Sequence, residues 1–200
     1  MKTFIVFLLI MITVGATESK NISIEGKSYV IVHESYDAYG DKGIEMKLYA
    51  KEQNRDTLPL FSFTLENQSG GCGERSTVDG SYEINGTTLT LYTHWDRSGR
   101  AYDTPKGDRI QHYTIAKDGT IHFVDGQIYL ERYAKNYDKQ SDMQFLFNPP
   151  KTLEEKKRLD TYKKQIETLF KAKFVNDSQK NILHDSVEKA LTEKRKHRWQ

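Results

Sequence analysis

A single cysteine, Cys72, stands among Gly70, Gly71 and Gly73 in ENQSGGCGERS, residues 66 to 76. A catalytic thiol needs a base to form thiolate and backbone N–H donors for an oxyanion. The glycines can expose such donors, and His94 or His112 can supply a base, but no thiol-enzyme signature surrounds the cysteine. A phosphate cradle would need lysine and Ser/Thr directly after the glycines at the mouth of a helix. Glu74-Arg75-Ser76 follow instead and lead toward another strand. The stretch therefore reads as a glycine-rich connection with an incidental thiol, and no catalytic residue is assigned.

Four histidines, His33, His94, His112 and His122, fall in or at the ends of expected strands. Metal sites do use histidines projecting from strands. No two of these share the close spacing of a ligand pair, and His122 alternates with Ile121 and Phe123, which points it to solvent. They read as isolated surface residues, so neither a metal nor a cofactor is expected.

The strongest candidate is HWDRSGRAYDTPKGDRIQHY, residues 94 to 113, a long polar connection rich in aromatic and cationic groups. Loops held by a rigid sheet carry recognition, and Trp, Tyr and Arg dominate binding hot spots. The expected contact residues are Trp95, Arg97, Ser98, Arg100, Tyr102 and Arg109. Asp96, Asp103 and Asp108 lie among them, but spacing along a loop does not set the carboxylate separation that acid–base catalysis requires. Binding is therefore expected rather than catalysis.

Within this segment, Ser98-Gly99-Arg100-Ala101-Tyr102 resembles the SG-x-x-Y loop of bacterial periplasmic lysozyme inhibitors. That resemblance implies a loop inserted into a lysozyme cleft, with Ser98 offering its hydroxyl to a catalytic carboxylate of the target and Tyr102 as the second matching residue. The helical segment from residue 151 departs from those small domains. The meander ending in Ile128-Tyr129-Leu130-Glu131-Arg132 is also broadly similar to lipocalin-type barrels of the bacterial envelope, which implies a small apolar ligand inside.

The elements that must position these residues are legible as two patterns. From Ile22 to about Tyr133 apolar residues alternate, as in Ile44, Met46, Leu48 and Ala50, or Phe61, Phe63 and Leu65. Period two marks half-buried strands. Asn85-Gly86, Asp118-Gly119 and Asp125-Gly126 supply hairpin-turn chemistry. About eight strands follow, near 28–36, 44–53, 60–66, 81–84, 87–95, 109–116, 120–124 and 127–133, with an antiparallel β-barrel or β-sandwich as the closure that removes exposed edges. After Asn148-Pro149-Pro150 the period changes: Thr152 and Glu155 have capping-box spacing, and Leu159, Tyr162, Ile166, Leu169, Phe170 and Phe174 share one helical face. A second helix near Asp177 would bury Leu183, Val187, Ala190 and Leu191. The expected class is α+β: a β domain over 17–147, then a C-terminal helical hairpin over 148–200.

The first residues, an apolar run from Phe4 to Val14 followed by Val14-Gly15-Ala16, read as a secretory signal over 1–16 cleaved after Ala16. No later segment is apolar enough to cross a bilayer, so a periplasmic or secreted mature chain is expected. One cysteine cannot form an internal disulfide, though a disulfide-linked dimer through Cys72 stays open. Residues 151 to 200 carry fourteen Lys/Arg against eight Asp/Glu, and residues 17 to 150 fifteen against twenty, so the two parts have opposite fields. The basic KRKHR, residues 194 to 198, suits a helix carboxyl end, and nucleic acid is not expected as a partner. Asn21, Asn67, Asn85 and Asn176 open N-x-S/T triplets that matter only in a eukaryotic secretory pathway. The function expected from all this is a non-enzymatic binding module of the cell envelope, for an unknown protein or a small apolar ligand. An inhibitor of a secreted hydrolase such as lysozyme is the alternative, and a Cys- or metal-dependent hydrolase the next.

Overall fold

A computed structural model describes residues 18–38, 41–70, 75–98, 106–132 and 151–197. Strands β1 (Glu18–Ile24), β2 (Lys27–Ala38), β3 (Asp41–Ala50), β4 (Phe61–Ser69), β5 (Arg75–Asn85), β6 (Thr88–Ser98), β7 (Lys106–Ile115) and β8 (Ile121–Arg132) form an antiparallel meander. Helix α1 (Leu153–Phe170) and helix α2 (Asp177–His197) follow. Between them β9 (Lys173–Phe174) pairs in parallel with β8. The sheet runs in the order β1 to β9, and among the described residues no ladder returns from its last strand to its first. The architecture is a sheet-rich α+β fold with C-terminal helices, and the expected closure into a barrel is not among its ladders.

The sheet curls nonetheless, because residues distant in strand order share one apolar cluster. Ile24 of β1 and Ile31 of β2 pack with Met46, Leu48, Leu89, Tyr113 and Ile115. Alternation sorts each strand between this concave face and the convex one. On β6, Leu89, Leu91, Thr93 and Trp95 face inward, opposite Tyr113, Gln111, Arg109 and Gly107 of β7. His94 and Asp108, partners in the same ladder, consequently face outward.

Turn chemistry holds at two of the three expected positions. Gly86 (φ 58°) and Gly119 (φ 95°) take the positive φ that tight hairpins need. Asp125-Gly126, expected as a third turn, instead lies inside β8, which is one continuous strand where two were expected. Gly126 serves a close approach: a Cβ there would meet the Lys171 carbonyl oxygen at 2.5 Å, in the link that joins the helices along β8. β1 was not among the expected strands. Its sequence ESKNISI presents only Ile22 and Ile24 as apolar residues, which suits an edge strand paired on one side.

β5 begins at Arg75 rather than near Ser81, and its ladder with β4 is short, from Glu66↔Asp79 to Ser69↔Ser76. Beyond it the two strands part. Lys194 of α2 reaches that seam, its ammonium donating to the carbonyls of Leu65 (3.2 Å) and Gly80 (3.0 Å) and to Glu66 Oε1 (2.9 Å).

The capping box is present: Thr152 accepts from the Glu155 N–H, and the Glu155 side chain accepts from the Thr152 N–H. α1 lies against the concave side, where Ile166, Ala172 and Phe170 pack with Trp95, Ile128 and Leu130. Leu159 and Ile166 are buried, while Leu169, part of the expected stripe, is exposed. α2 runs over the convex face with Leu183, Val187, Ala190 and Leu191 buried. Its basic groups meet acids of the sheet, Lys194 with Glu66 and Arg195 with Asp79. The two helices thus hold the sheet from opposite sides, with the link at residues 171–176 wrapping its β8 edge.

Candidate functional site: an inward cation and an outward carboxylate

On the concave face β7 carries Arg109 into an aromatic clasp. Its guanidinium carbon sits 4.9 Å from the Trp95 ring centroid and 5.7 Å from that of Phe170, and the two rings meet edge to face at 5.2 Å. Nη1 donates to the Phe170 carbonyl and Nη2 to Thr93 Oγ1, each at 3.3 Å. Gln111 Nε2 donates to the same Phe170 oxygen at 2.9 Å. The last turn of α1 holds no basic residue of its own, so these sheet groups meet the partial negative charge of its carboxyl end.

What this cation lacks is an anion. Among the described residues no carboxylate lies within ion-pair distance of it, and burial lowers its pKa to about 10. Arg109 Nε and Asn67 Oδ1 are buried without a hydrogen-bond partner. Both residues line one cavity of ≈ 450 Å3, walled by Phe63, Leu91, Trp95 and Phe170. Buried charges are ordinarily paired. A cation with a spare N–H beside aromatic and aliphatic side chains suits a ligand with an anionic head and an apolar body, and the spare lone pair of Asn67 suits a donor on that ligand.

A wider cleft of ≈ 680 Å3 lies between β2–β5 and the end of α2, lined among others by His33, Ile44, Leu65, Tyr82 and Lys194. His33 Nε2 and Tyr82 Oη are 2.9 Å apart, and burial pushes the Tyr82 phenol up to about 12. The hydroxyl therefore stays protonated, held against the His33 ring.

The convex face resolves its buried charge differently. Asp108, 5% exposed, receives Nδ1 of His94 at 2.7 Å on Oδ1 and Nδ1 of His184 at 2.9 Å on Oδ2. β6, β7 and α2 each contribute one of these residues. Burial pushes the Asp108 carboxyl upward, but the two imidazole donors and their charge more than reverse this and hold it below its ordinary value. For His94 the bond to Asp108 raises the imidazole against the opposing effect of burial, with Glu188 and Asp96 adding in the same direction. An ionised carboxylate only accepts, so both rings present Nδ1–H to it. One ligand atom from each of the three residues lies within 4.8 Å of the others.

Of the residues expected in a contact loop, Trp95 and Arg109 are brought together, but Trp95 is only 7% exposed and lies under Phe170. An external partner would have to displace α1 to reach them, whereas a small ligand in the cavity touches both. Arg97 and Ser98 pair through their backbones with Ser76 and Arg75. Arg100 and Tyr102, and with them most of the SG-x-x-Y-like stretch, lie outside the described residues, as do Cys72 and residues 1–16. Sequence reasoning missed Asn67, Gln111, Phe170 and the joining of His94 to Asp108 and His184. Continuing the alternation Leu89, Leu91 through Thr93 would have turned Trp95 inward and His94 outward, but nothing local announces His184, which is 76 residues from Asp108.

Comparison of the chain with protein-family models, with curated proteins and with solved structures gives no match.

Proposed function

We propose that the protein is an exported, non-enzymatic binding module whose concave sheet face takes a small amphipathic anion, with the charged head on Arg109. The observation that carries the reading is a buried cation with no carboxylate partner among the described residues, lining a cavity of ≈ 450 Å3 that it shares with Phe63, Leu91, Trp95 and Phe170 and with polar groups such as Thr93 and Gln111. Cavities of that size, where aromatic side chains meet placed polar groups, are a usual form of small-molecule sites. The reading extends the similarity to lipocalin-type barrels: a curled antiparallel meander that takes its ligand on the concave face. In it Arg109 holds the head, Trp95, Phe170 and Leu91 hold the body, and no group is asked to do chemistry. Export rests on the apolar leader at 1–16.

Trp95 reports the test directly. In a Trp199→Phe background, which leaves Trp95 as the sole tryptophan, titration with a medium-chain carboxylate is expected to change its fluorescence saturably. The alcohol of the same chain length should bind at least about tenfold more weakly, since one lost charge-assisted contact is worth about 1.5–3 kcal/mol. Arg109→Gln should abolish the discrimination. Equal affinity for acid and alcohol, or no saturable change with either, would rule the reading out.

A further inference from the structure

The two imidazoles and one carboxylate on the convex face belong to three separate elements, which nevertheless bring their ligand atoms within 4.8 Å of one another. We propose that His94, Asp108 and His184 form a site for a zinc-class divalent transition metal that fastens α2 to the sheet.

Donor type, geometry and access argue for it together. Two nitrogen donors and one oxygen donor are the set that Zn2+, Co2+ and their neighbours in the series prefer over Mg2+ or Ca2+. Metal–ligand bonds of about 2.0–2.2 Å place tetrahedral ligand atoms roughly 3.3 Å apart. Separations of 2.7 and 2.9 Å along the two His–Asp contacts are therefore close to what the ion requires. His94 and Asp108 are directly opposed in the β6–β7 ladder, so two of the ligands are held rigidly by sheet hydrogen bonds.

His184 supplies the entry. Its side chain is 47% exposed, against 7% for Asp108, so an ion and its remaining water ligands reach the cluster from solvent past that ring. Glu188 stands one turn further along α2, at i+4 from His184 and close enough to His94 to act on its charge. It can close a fourth position or accept from a bound water. Binding replaces the two Nδ1–H groups that now point at Asp108. Each neutral ring then carries its proton on Nε2, and a ring that was protonated releases one proton to solvent.

The outward cluster is independent of the inward cavity, so failure of one proposal leaves the other standing. The experiment uses untagged full-length protein freed of metal with chelator, titrated with Zn2+ by calorimetry and with Co2+ by visible absorption. One equivalent is expected to bind, Co2+ should develop the intense visible bands of a four-coordinate nitrogen–oxygen site, and the melting temperature should rise with added Zn2+. His184→Ala, at a half-exposed helix position, should still fold and lose at least about 10–100-fold in affinity, the loss known for perturbing even the outer partners of a metal site. Glu188→Gln should weaken binding less. His112→Ala, which alters a separate exposed His–Asp pair, should leave affinity unchanged. Absence of stoichiometric binding by wild type, or equal affinity in wild type and His184→Ala, would overturn the site and leave the cluster as a hydrogen-bonded clasp only.

Discussion

Adjacent residues on the same two strands treat buried charge in opposite ways. Facing outward, Asp108 is matched twice, by His94 across the ladder and by His184 from α2. Facing inward one residue later, Arg109 has aromatic faces, a hydroxyl and a helix carbonyl around it but, among the described residues, no anion. The first arrangement is self-sufficient and joins elements of the protein to each other. The second keeps a donor unused beside a cavity, which is the form a charge takes when its partner comes from outside. Burial alone, equal in kind on the two faces, does not distinguish a structural charge from a binding one. What distinguishes them is whether the protein supplies the complement.

The sharpest way to break this contrast is to remove the matched charge. Asp108→Ala leaves two imidazole donors, one of them half-buried, without an acceptor, and breaking a buried pair from one side costs about 3–5 kcal/mol. Urea denaturation of metal-free protein should show that loss. A second variant touches both faces at once: Gly126→Ala forces a methyl toward the Lys171 carbonyl, 2.5 Å away, and pushes the inter-helix link off β8. Overpacking of this kind costs about 1–3 kcal/mol, and hydrogen exchange should speed up in both helices rather than in one.

The pH profile sharpens the comparison further. The folded pKa of His94 is raised above 6.5, so its contribution is fully present below 6.5 and is lost as pH rises through the folded value. The folded pKa of Asp108 is lowered below 3.8, so its contribution is present above 3.8 and is lost as pH falls. In chelator-treated protein the outward cluster therefore stabilises most between 3.8 and 6.5. Thermal melts of Asp108→Asn should lie below those of wild type inside that window and lack the part of the wild-type fall that sets in as pH leaves it at either end. The smallest effect is expected inward. Arg109→Met keeps the bulk of the side chain and removes an unmatched buried cation, so stability should change by less than about 1 kcal/mol or increase, while affinity for an anionic ligand falls. A loss as large as that of Asp108→Ala would mean that Arg109 is structural and the contrast is mistaken.

Much of the frame was legible because short-range physics sets it. Alternation in Ile44–Ala50 and Phe61–Leu65, the glycines at 86 and 119, the Thr152–Glu155 cap and the stripe Leu183–Leu191 each need only a few neighbouring residues to act. β1 was not legible, because an edge strand needs few apolar side chains. Asp125-Gly126 carries turn chemistry for a reason that arises only in three dimensions, the passage of residue 171 beside it. The sites were legible in part. Trp95 and Arg109 stood out by type, but their cavity needs Phe170 from a helix that no spacing places there. The meeting of His94 with Asp108 depends on the register of the β6–β7 ladder, which no two-residue turn between Ser98 and Lys106 sets.

Lys194 gives the molecule a direction in time. Its ammonium bridges a seam between strands 129 and 114 residues earlier in the chain, donating to the carbonyls of Leu65 and Gly80 just past the short β4–β5 ladder. During synthesis those oxygens stay in water until α2 has emerged and docked. Strand pairing can start early, but the β4–β5 corner is finished only once α2 has been made. A chain stopped before residue 194 would hold every strand of the sheet and still leave that corner open.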